Sequence, residues 1–382
     1  MEFTLNEEQQ ILKRTVHDFA VKELEPGARE RDAREEFPWE EFRRLSELGL
    51  TGVGIPTEYG GSEGGLLNTA MVIEEIARSD PSMSLVLLAS LSLTGVGIYK
   101  FGNEAQKRKY VPPITKGKHV GAFGLTESNA GSDAGALTTS VVKKNNGYIL
   151  NGSKIFITNG DVADTVIVLA TADRALRTKG ISAFIVEKGT PGYSAKKQHE
   201  KMGMRASSTA ELFFEDCKVP KENLMGEEGQ GFKIAMQILD NSRPIIGAQA
   251  LGIAQGCLDI ALQQVKRRKA FGQAIADFEG VQWMLADMAT QIDASRLLVY
   301  RAASFRDQGL PFGKEASMAK LFASETAMKV ASAALQLHGG YGYFKETPIE
   351  RFFRDAKVTE IYEGTSQIQR LVIARHVLAE AN

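Results

Sequence analysis

The sequence predicts an α+β chain in three parts: an N-terminal α-helical domain (1–120), a middle antiparallel, barrel-like β domain (121–226) and a C-terminal four-helix bundle (227–382). Three observations predict it. Apolar residues recur at helical spacing through the first and last thirds. Short apolar runs separated by Asn-Gly pairs fill the middle. The chain also lacks the strand–GxGxxG–helix unit and the β/α alternation of a doubly wound dinucleotide fold.

The first helix is expected to start at Thr4, with Glu7 completing a capping box. Ile11, Leu12, Val16, Phe19 and Ala20 then line one face. Asp80-Pro81 predicts another start, Asp as cap and Pro at the first helical position. The helix it opens, 82–94, is apolar on nearly every face. It is therefore buried, either as core alone or also as the wall of a ligand cavity. In the middle third, Asn145-Asn146-Gly147 and Asn151-Gly152 predict tight turns between strands at 141–142, 148–150 and 154–158. Further strands are expected at 165–170, 181–186 and 210–215. Helices at 231–268, 279–308, 313–338 and 366–380, rich in Ala, Leu, Met and Gln, complete the chain.

At 382 residues, 43% hydrophobic and 24% charged, the composition is that of a globular protein. A net charge of −1 gives no general reason to expect nucleic acid or an acidic membrane as partner, so only local basic clusters can serve an anionic ligand. Cys217 and Cys257 lack metal-ligand spacing and are too few for a disulfide framework, which fits a reducing compartment and no metal. The acidic start, Met1 to Glu8, differs from Arg-rich import sequences. The longest apolar stretch, 85–98, is too short to span a bilayer. The expected location is cytoplasmic, of bacterial or archaeal type. The glycines at 60–65 and at Gly95-Val96-Gly97 have neither the spacing nor the flanks of a nucleotide loop.

Four segments carry chemical potential. Residues 123–135, FGLTESNAGSDAG, expose backbone N–H groups that suit a flat cofactor's edge or a phosphate, and equally form an ordinary Gly/Ser loop. In Phe156-Ile157-Thr158-Asn159-Gly160 the aromatic can stack on a ring and the hydroxyl can hydrogen-bond it, or the segment simply ends a strand. Lys266-Arg267-Arg268-Lys269 at a helix end is a solvated face or a pyrophosphate site. Ile361-Tyr362-Glu363-Gly364-Thr365-Ser366-Gln367-Ile368-Gln369-Arg370 sets Glu363 on a Gly-hinged loop before a helix, with Ser366 and Gln369 expected as a capping box. A surface carboxylate complementing the helix dipole has the same local sequence.

Taken in this order, the segments resemble the acyl-CoA dehydrogenase family over essentially the whole chain. The combination of Tyr362–Arg370 with Leu125-Thr126-Glu127 and Gly131-Ser132-Asp133 is the specific part. The resemblance implies an FAD enzyme, typically a homotetramer holding FAD partly at a subunit interface and passing electrons to an electron-transferring flavoprotein. It implies that Phe123, Leu125, Thr126, Phe156 and Thr158 surround the flavin and that Ser132 lies near both FAD and coenzyme A. Arg268, Phe271, Gln336 and Gly340 would meet a neighbouring subunit's FAD, and Thr365 and Gln367 would help hold the cofactor. Asp240 and Arg243 match the helix that approaches the thioester, with Tyr362 and Gly364 beside the substrate. Three positions depart from the family. Phe156 replaces a common Trp, Glu279 a Gln, and Ser242 occupies the alternative base position, leaving Glu363 as the base.

The family mechanism implied is removal of an α-proton by Glu363 with transfer of the β-hydride to flavin N5. The Glu363 N–H and the FAD ribityl chain would hold the thioester oxygen. The apolar 82–94 helix offers no cation for a substrate carboxylate, and residues 247–255, GAQALGIAQ, resemble short-chain members. A short, branched or cyclic uncharged acyl group is therefore expected. The alternatives are an acyl-CoA oxidase, usually a longer chain, and a non-catalytic FAD- or CoA-binding relative.

Overall fold

The computed structural model describes residues 4–144 and 146–380. Helix α1 (Glu7–Phe19) starts at Asn6, whose side chain accepts from Gln9 N at 2.9 Å while Gln9 Oε1 accepts from Asn6 N at 3.1 Å. This capping box replaces the expected Thr4–Glu7 pair: Asn accepts as well as Thr, and Gln at the third position completes the reciprocal bond. Helices α2 (Ala28–Arg34), α3 (Trp39–Glu47) and α4 (Gly65–Ser79) lead to α5 (Pro81–Leu88). Asp80 caps α5 as expected, accepting from Ser82 N at 3.0 Å and Met83 N at 3.3 Å. Its other oxygen accepts from Arg31 Nη2 at 2.8 Å, so one buried carboxylate fixes α5 and ties α2 to it.

After α5 the helix continues as a π-helical stretch over Ala89–Gly95 into α6 (Val96–Phe101), followed by α7 (Glu104–Thr115). The helical run is thus longer than the apolar stretch suggests. By length and hydropathy both 81–101 and 231–267 could cross a membrane, yet 89% and 78% of their apolar windows are buried inside this fold. They are core helices of this structure. Leu85, Val86, Leu87 and Leu88 on α5 are all 5% exposed or less.

The middle third forms one eight-stranded sheet: β1 (Gly121–Gly124), β2 (Ser140–Lys144), β3 (Gly147–Thr158), β4 (Thr165–Thr171), β5 (Ile181–Glu187), β6 (Tyr193–Lys197), β7 (Thr209–Pro220) and β8 (Leu224–Met225). The order is β6-β7-β3-β2-β4-β5-β8, with β1 beside β4. It is mostly antiparallel, but β1 and β2 pair with β4 in parallel, which the turn signals did not reveal. Asn151-Gly152 is not a turn. It lies inside β3, where the register with β7 shifts between Leu150 and Gly152, so the Gly absorbs a bulge. Of the other expected turn, Asn145 lies outside the described residues.

Hydrogen bonds fix the sheet to the helices. Asn159 Nδ2 donates to Val86 O on α5 at 3.1 Å and to Gly121 O on β1 at 3.3 Å, and Gly121 N donates to Ser90 Oγ at 2.9 Å. The last third comprises α8 (Gly231–Arg267), a hairpin of β9 (Lys269–Ala270) and β10 (Gln273–Ala274), then α9 (Glu279–Asp307), α10 (Gly313–His338), α11 (Ile349–Val358) and α12 (Ser366–Glu380). The four long helices fall where their periodicity places them, and α11 is additional. Small residues on α10, Ala316, Ala319, Ala323 and Ala327, are fully buried and let it lie close against its neighbours.

Asp80 is 1% exposed, and Asp80→Ala removes one of the two carboxylates on Arg31, leaving Glu41, and uncaps α5. The expected loss is about 2–4 kcal/mol, read as a fall of several degrees in the thermal midpoint. An unchanged midpoint would contradict the role given to this carboxylate.

Candidate active site

The loop between α11 and α12 brings Glu363 against the middle of α8. Glu363 has φ 51°, in the left-handed region that non-glycine residues rarely occupy, and Gly364 follows at φ 98°. The Ser242 hydroxyl donates to Glu363 Oε2. Lys320 on α10, with no exposed side-chain surface, donates to Gly364 O at 2.8 Å. Gln369 Nε2 donates to the same oxygen at 2.9 Å. Ser366 and Gln369 therefore do not form the expected capping box. Thr365 Oγ1 accepts from Ile368 N at 3.3 Å instead, and Gln369 turns inward to hold the loop. The left-handed turn exists because α8, α10 and α12 each grip it.

Burial pushes the Glu363 carboxyl up to about 7, opposed by the Ser242 hydrogen bond and the Lys320 and Arg243 charges. Burial likewise pushes Lys320 down to about 8, partly offset by Glu363. A carboxyl that is half ionised near neutrality suits proton abstraction better than an ordinary surface carboxylate. Among the described residues the Glu363 N–H has no acceptor, leaving a free donor on the same residue.

Neighbouring side chains complete the wall. Tyr362 OH donates to Gln249 Oε1, and Gln249 Nε2 donates to Ser84 Oγ on α5 at 2.8 Å and to Pro81 O at 3.3 Å. Arg243 Nη1 donates to Asp240 Oδ1, its Nε is buried without a partner, and burial raises the Asp240 carboxyl despite that cation.

A second group lies on the sheet. Phe156 is 67% exposed at φ 61°, where β3 bulges between Lys154 and Ile157 relative to β7. The bulge turns the ring outward. Ile155 N donates to Thr126 O at 2.9 Å, bringing the 123–135 loop alongside. Under the loop Lys154 Nζ donates to Glu127 Oε1 at 2.7 Å and Leu125 O at 3.2 Å. Glu127 also accepts from Thr138 N at 2.6 Å and Thr139 N at 2.9 Å. Burial pushes Glu127 up, but Lys154 and these bonds outweigh it and hold the carboxyl down to about 2. Leu125 is buried, Phe123, Thr126 and Thr158 are half-buried, and Ser132 is exposed. Neither the Thr126 nor the Thr158 hydroxyl has a partner among the described residues. An outward ring, two unsatisfied hydroxyls and a rigid loop fit the flat face and polar edge of a flavin.

The third group stands apart from the contacts of Glu363. Arg268, Phe271, Gln336 and Gly340 are exposed at the ends of α8 and α10. Phe271 and Gly272, both at positive φ, form the two-residue tip of the β9–β10 hairpin, with Phe271 97% exposed. Arg268 lies over the Tyr341 ring, 6.0 Å from its centroid, and does not pair with Glu279. Glu279 is exposed in the first turn of α9. Thr365 is half-buried at the α12 cap, and Gln367 is exposed beside it. Sequence reasoning gave no role to Lys320, Gln249 and Lys154, and did not foresee the roles of Glu127 and Gln369. For Lys320 and Gln249 the available signal was a lone polar residue inside an apolar stretch.

Lys154→Met removes the only cation on Glu127 among the described residues, leaving a buried carboxylate unpaired. The amides of Thr138 and Thr139 should then exchange with solvent at least ~10-fold faster, matching about 1.4 kcal/mol or more of local opening. Hydrogen exchange checks this, and unchanged protection would contradict it.

The acyl-CoA dehydrogenase N-terminal domain profile matches residues 6–118, the middle domain profile 122–217 and the C-terminal domain profile 229–378. The acryloyl-CoA reductase (NADH) of Anaerotignum propionicum is 50% identical over 380 residues, 99% of this chain and 96% of that protein. The structure of butyryl-CoA dehydrogenase from Megasphaera elsdenii is 46% identical with a TM-score of 0.97, covering 99% of this chain and 100% of that one. A chain solved in work on the electron transferring flavoprotein of Acidaminococcus fermentans and flavin-based electron bifurcation is 50% identical, with a TM-score of 0.97 and the same coverage. The chain belongs to the acyl-CoA dehydrogenase family.

Proposed function

We propose that this chain is an FAD-dependent acyl-CoA dehydrogenase that forms the 2-enoyl thioester of a short, uncharged acyl group, with Glu363 as base. The observation that carries the reading is the half-buried Glu363, held by Ser242 beside its own unsatisfied N–H, with desolvation pushing its carboxyl up to about 7. FAD, when bound, accepts the β-hydrogen as hydride. Phe123, Leu125, Thr126, Ser132, Phe156, Thr158, Thr365 and Gln367 are the proposed residues that hold it. Arg268, Phe271, Gln336 and Gly340 are proposed to reach the FAD of a second copy. Their exposure, and Phe271 almost fully exposed on a left-handed tip with only the Phe278 ring beside it among the described residues' aromatic contacts, support assembly into a homotetramer.

The chain's own residues account for the proton step. The carboxylate form of Glu363 takes the α-proton while its N–H can donate to the thioester carbonyl oxygen, stabilising negative charge as it develops. Ser242 and Lys320 lower the cost of the carboxylate in a buried place without neutralising it. Asp240, Arg243, Tyr362, Gly364 and Ser132 are the proposed contacts of the thioester arm.

The proposed acyl size follows from the Tyr362–Gln249–Ser84 chain. It bridges the base loop to α5 and closes the space between them with polar groups that are already paired. α5 itself carries no charged side chain, which disfavours a second carboxylate on the substrate. The butyryl-CoA relative supports the same size. The Acidaminococcus structure supports an electron-transferring flavoprotein as partner. Two unpaired, buried cysteines are compatible with the reducing cytoplasm, where we place the protein. The acryloyl-CoA relative favours a second reading, in which the same base returns a proton during reduction of a short enoyl thioester.

Anaerobic titration of the holoenzyme with butyryl-, isobutyryl-, glutaryl- and octanoyl-CoA tests the proposal. Bleaching of the flavin spectrum by the first two is expected, and no response to any would contradict it. Enoyl-CoA reduction by NADH and a partner flavoprotein, without the forward reaction, would select the second reading. Since the base acts as carboxylate, kcat/KM should rise with pH through about 7. Lys320→Met removes a cation that favours the carboxylate, so this limb should move up by about one unit or more. A limb that stays in place would show that Lys320 does not tune the base. Gln249→Ala opens the wall and should raise the hexanoyl- to butyryl-CoA kcat/KM ratio by roughly 10-fold or more. An unchanged ratio would place the chain-length limit elsewhere.

A further inference from the structure

The glycine-rich stretch 60–65, which no step above uses, borders a cavity of about 460 Å³ in the outer face of the molecule. Gly54 and Gly65 form one wall and Tyr99 another. Three cations face it: Lys100 at the end of α6, Lys107 on α7 and Arg306 at the end of α9. No nucleotide-loop spacing is involved.

These cations are incompletely satisfied. Lys100 Nζ and Arg306 Nε donate to the same neutral oxygen, Asn241 Oδ1, at 2.6 and 3.1 Å. Arg306 also pairs with Asp307, whereas among the described residues Lys100 has only that uncharged acceptor. Burial and the Arg306 charge push Lys100 down to about 8. Lys107 meets only the Tyr99 ring, 5.5 Å from its centroid. Among the described residues, two Lys100 protons, all three on Lys107 and both on Arg306 Nη2 have no acceptor.

Two carboxylates lie nearby: Asp307 pairs with one of these cations, and Glu63 itself lines the cavity. Asp307 pairs with Arg306 Nη1 at 2.9 Å and caps α4 through Leu66 N at 2.8 Å and Leu67 N at 2.9 Å. Glu63 turns to Thr57 N at 3.1 Å. The helix N-terminus is therefore already occupied, and the free positive charge belongs to the side chains.

We propose that this cavity is a binding site for a phosphate group, distinct from the thioester site. Several converging N–H donors on three cations suit the tetrahedral oxygens of phosphate better than a single carboxylate. Asn241 precedes Ser242, so the cavity lies on a different face of α8 from the one that holds Glu363. The phosphate can be free or carried on a nucleotide.

Calorimetric titration of the holoenzyme in chloride buffer with inorganic phosphate, ADP and adenosine tests this. Saturable binding of inorganic phosphate or ADP, but not adenosine, is expected. Equal affinities assign the site to free phosphate, and tighter ADP to a nucleotide. Lys100→Met should weaken binding at least tenfold, and so should Lys107→Glu, whose side chain makes only the Tyr99 ring contact among the described residues. The proposal is overturned if neither anion saturates, or if Lys107→Glu, folded, binds like the parent. Displacement of the anion by crotonyl-CoA would overturn it too, since the cations would then serve the thioester.

Discussion

A carboxylate in a buried place is unstable unless something compensates it, and the placement of Glu363 is the constraint on which the catalytic half of this molecule depends. Its loop is held by α8 through Ser242, by α10 through Lys320 and by α12 through Gln369. None of these groups cancels the charge outright. A full ion pair on the carboxylate would have driven its pKa down and made it a weak base. Here the Lys320 ammonium goes to the neighbouring carbonyl, close enough to favour the carboxylate yet without bonding to it. The left-handed φ at Glu363 is the conformational cost of that arrangement.

Buried charge is used differently in the rest of the fold. Lys154 and Glu127 do form a direct pair, and the result is a fixed loop rather than a reactive group. Asp80 does the same between α2 and α5. Both pairs lie where a helix or loop must be set against another layer. Apolar contact alone would allow those layers to slide, whereas a buried ion pair tolerates little displacement before leaving a charge unpaired. The sheet and α5 are thereby set at fixed positions, with Asn159 bonded to both.

Much of this was legible in the sequence. The four long C-terminal helices lie where their spacing puts them because long periodic segments carry a strong signal, whereas α11, with 10 residues, carries a weak one. Asp80-Pro81 announced its cap. Asn151-Gly152 misled because the residues that make a tight turn also make a bulge, and the choice depends on β7, some sixty residues away. The first helix's cap moved by two residues because Asn6 and Gln9 satisfy the same geometry as Thr4 and Glu7. Of the site, Glu363 was legible through its motif. Lys320 and Gln249 were not, since a Lys in an Ala-rich helix normally faces water and a Gln among Ala and Gly reads as surface. Ser242, set aside because it cannot be a base, turns out to hold the base.

The central claim is that the Glu363 carboxylate removes the α-proton. It is tested most directly by solvent exchange at the α-carbon of a β-thia acyl-CoA, a thioester that can lose an α-proton but cannot give up a β-hydride. The holoenzyme should exchange deuterium at that carbon, and Glu363→Gln, with FAD still bound, should not. Exchange that survives in Glu363→Gln at the parent's rate would place the base elsewhere and contradict the account.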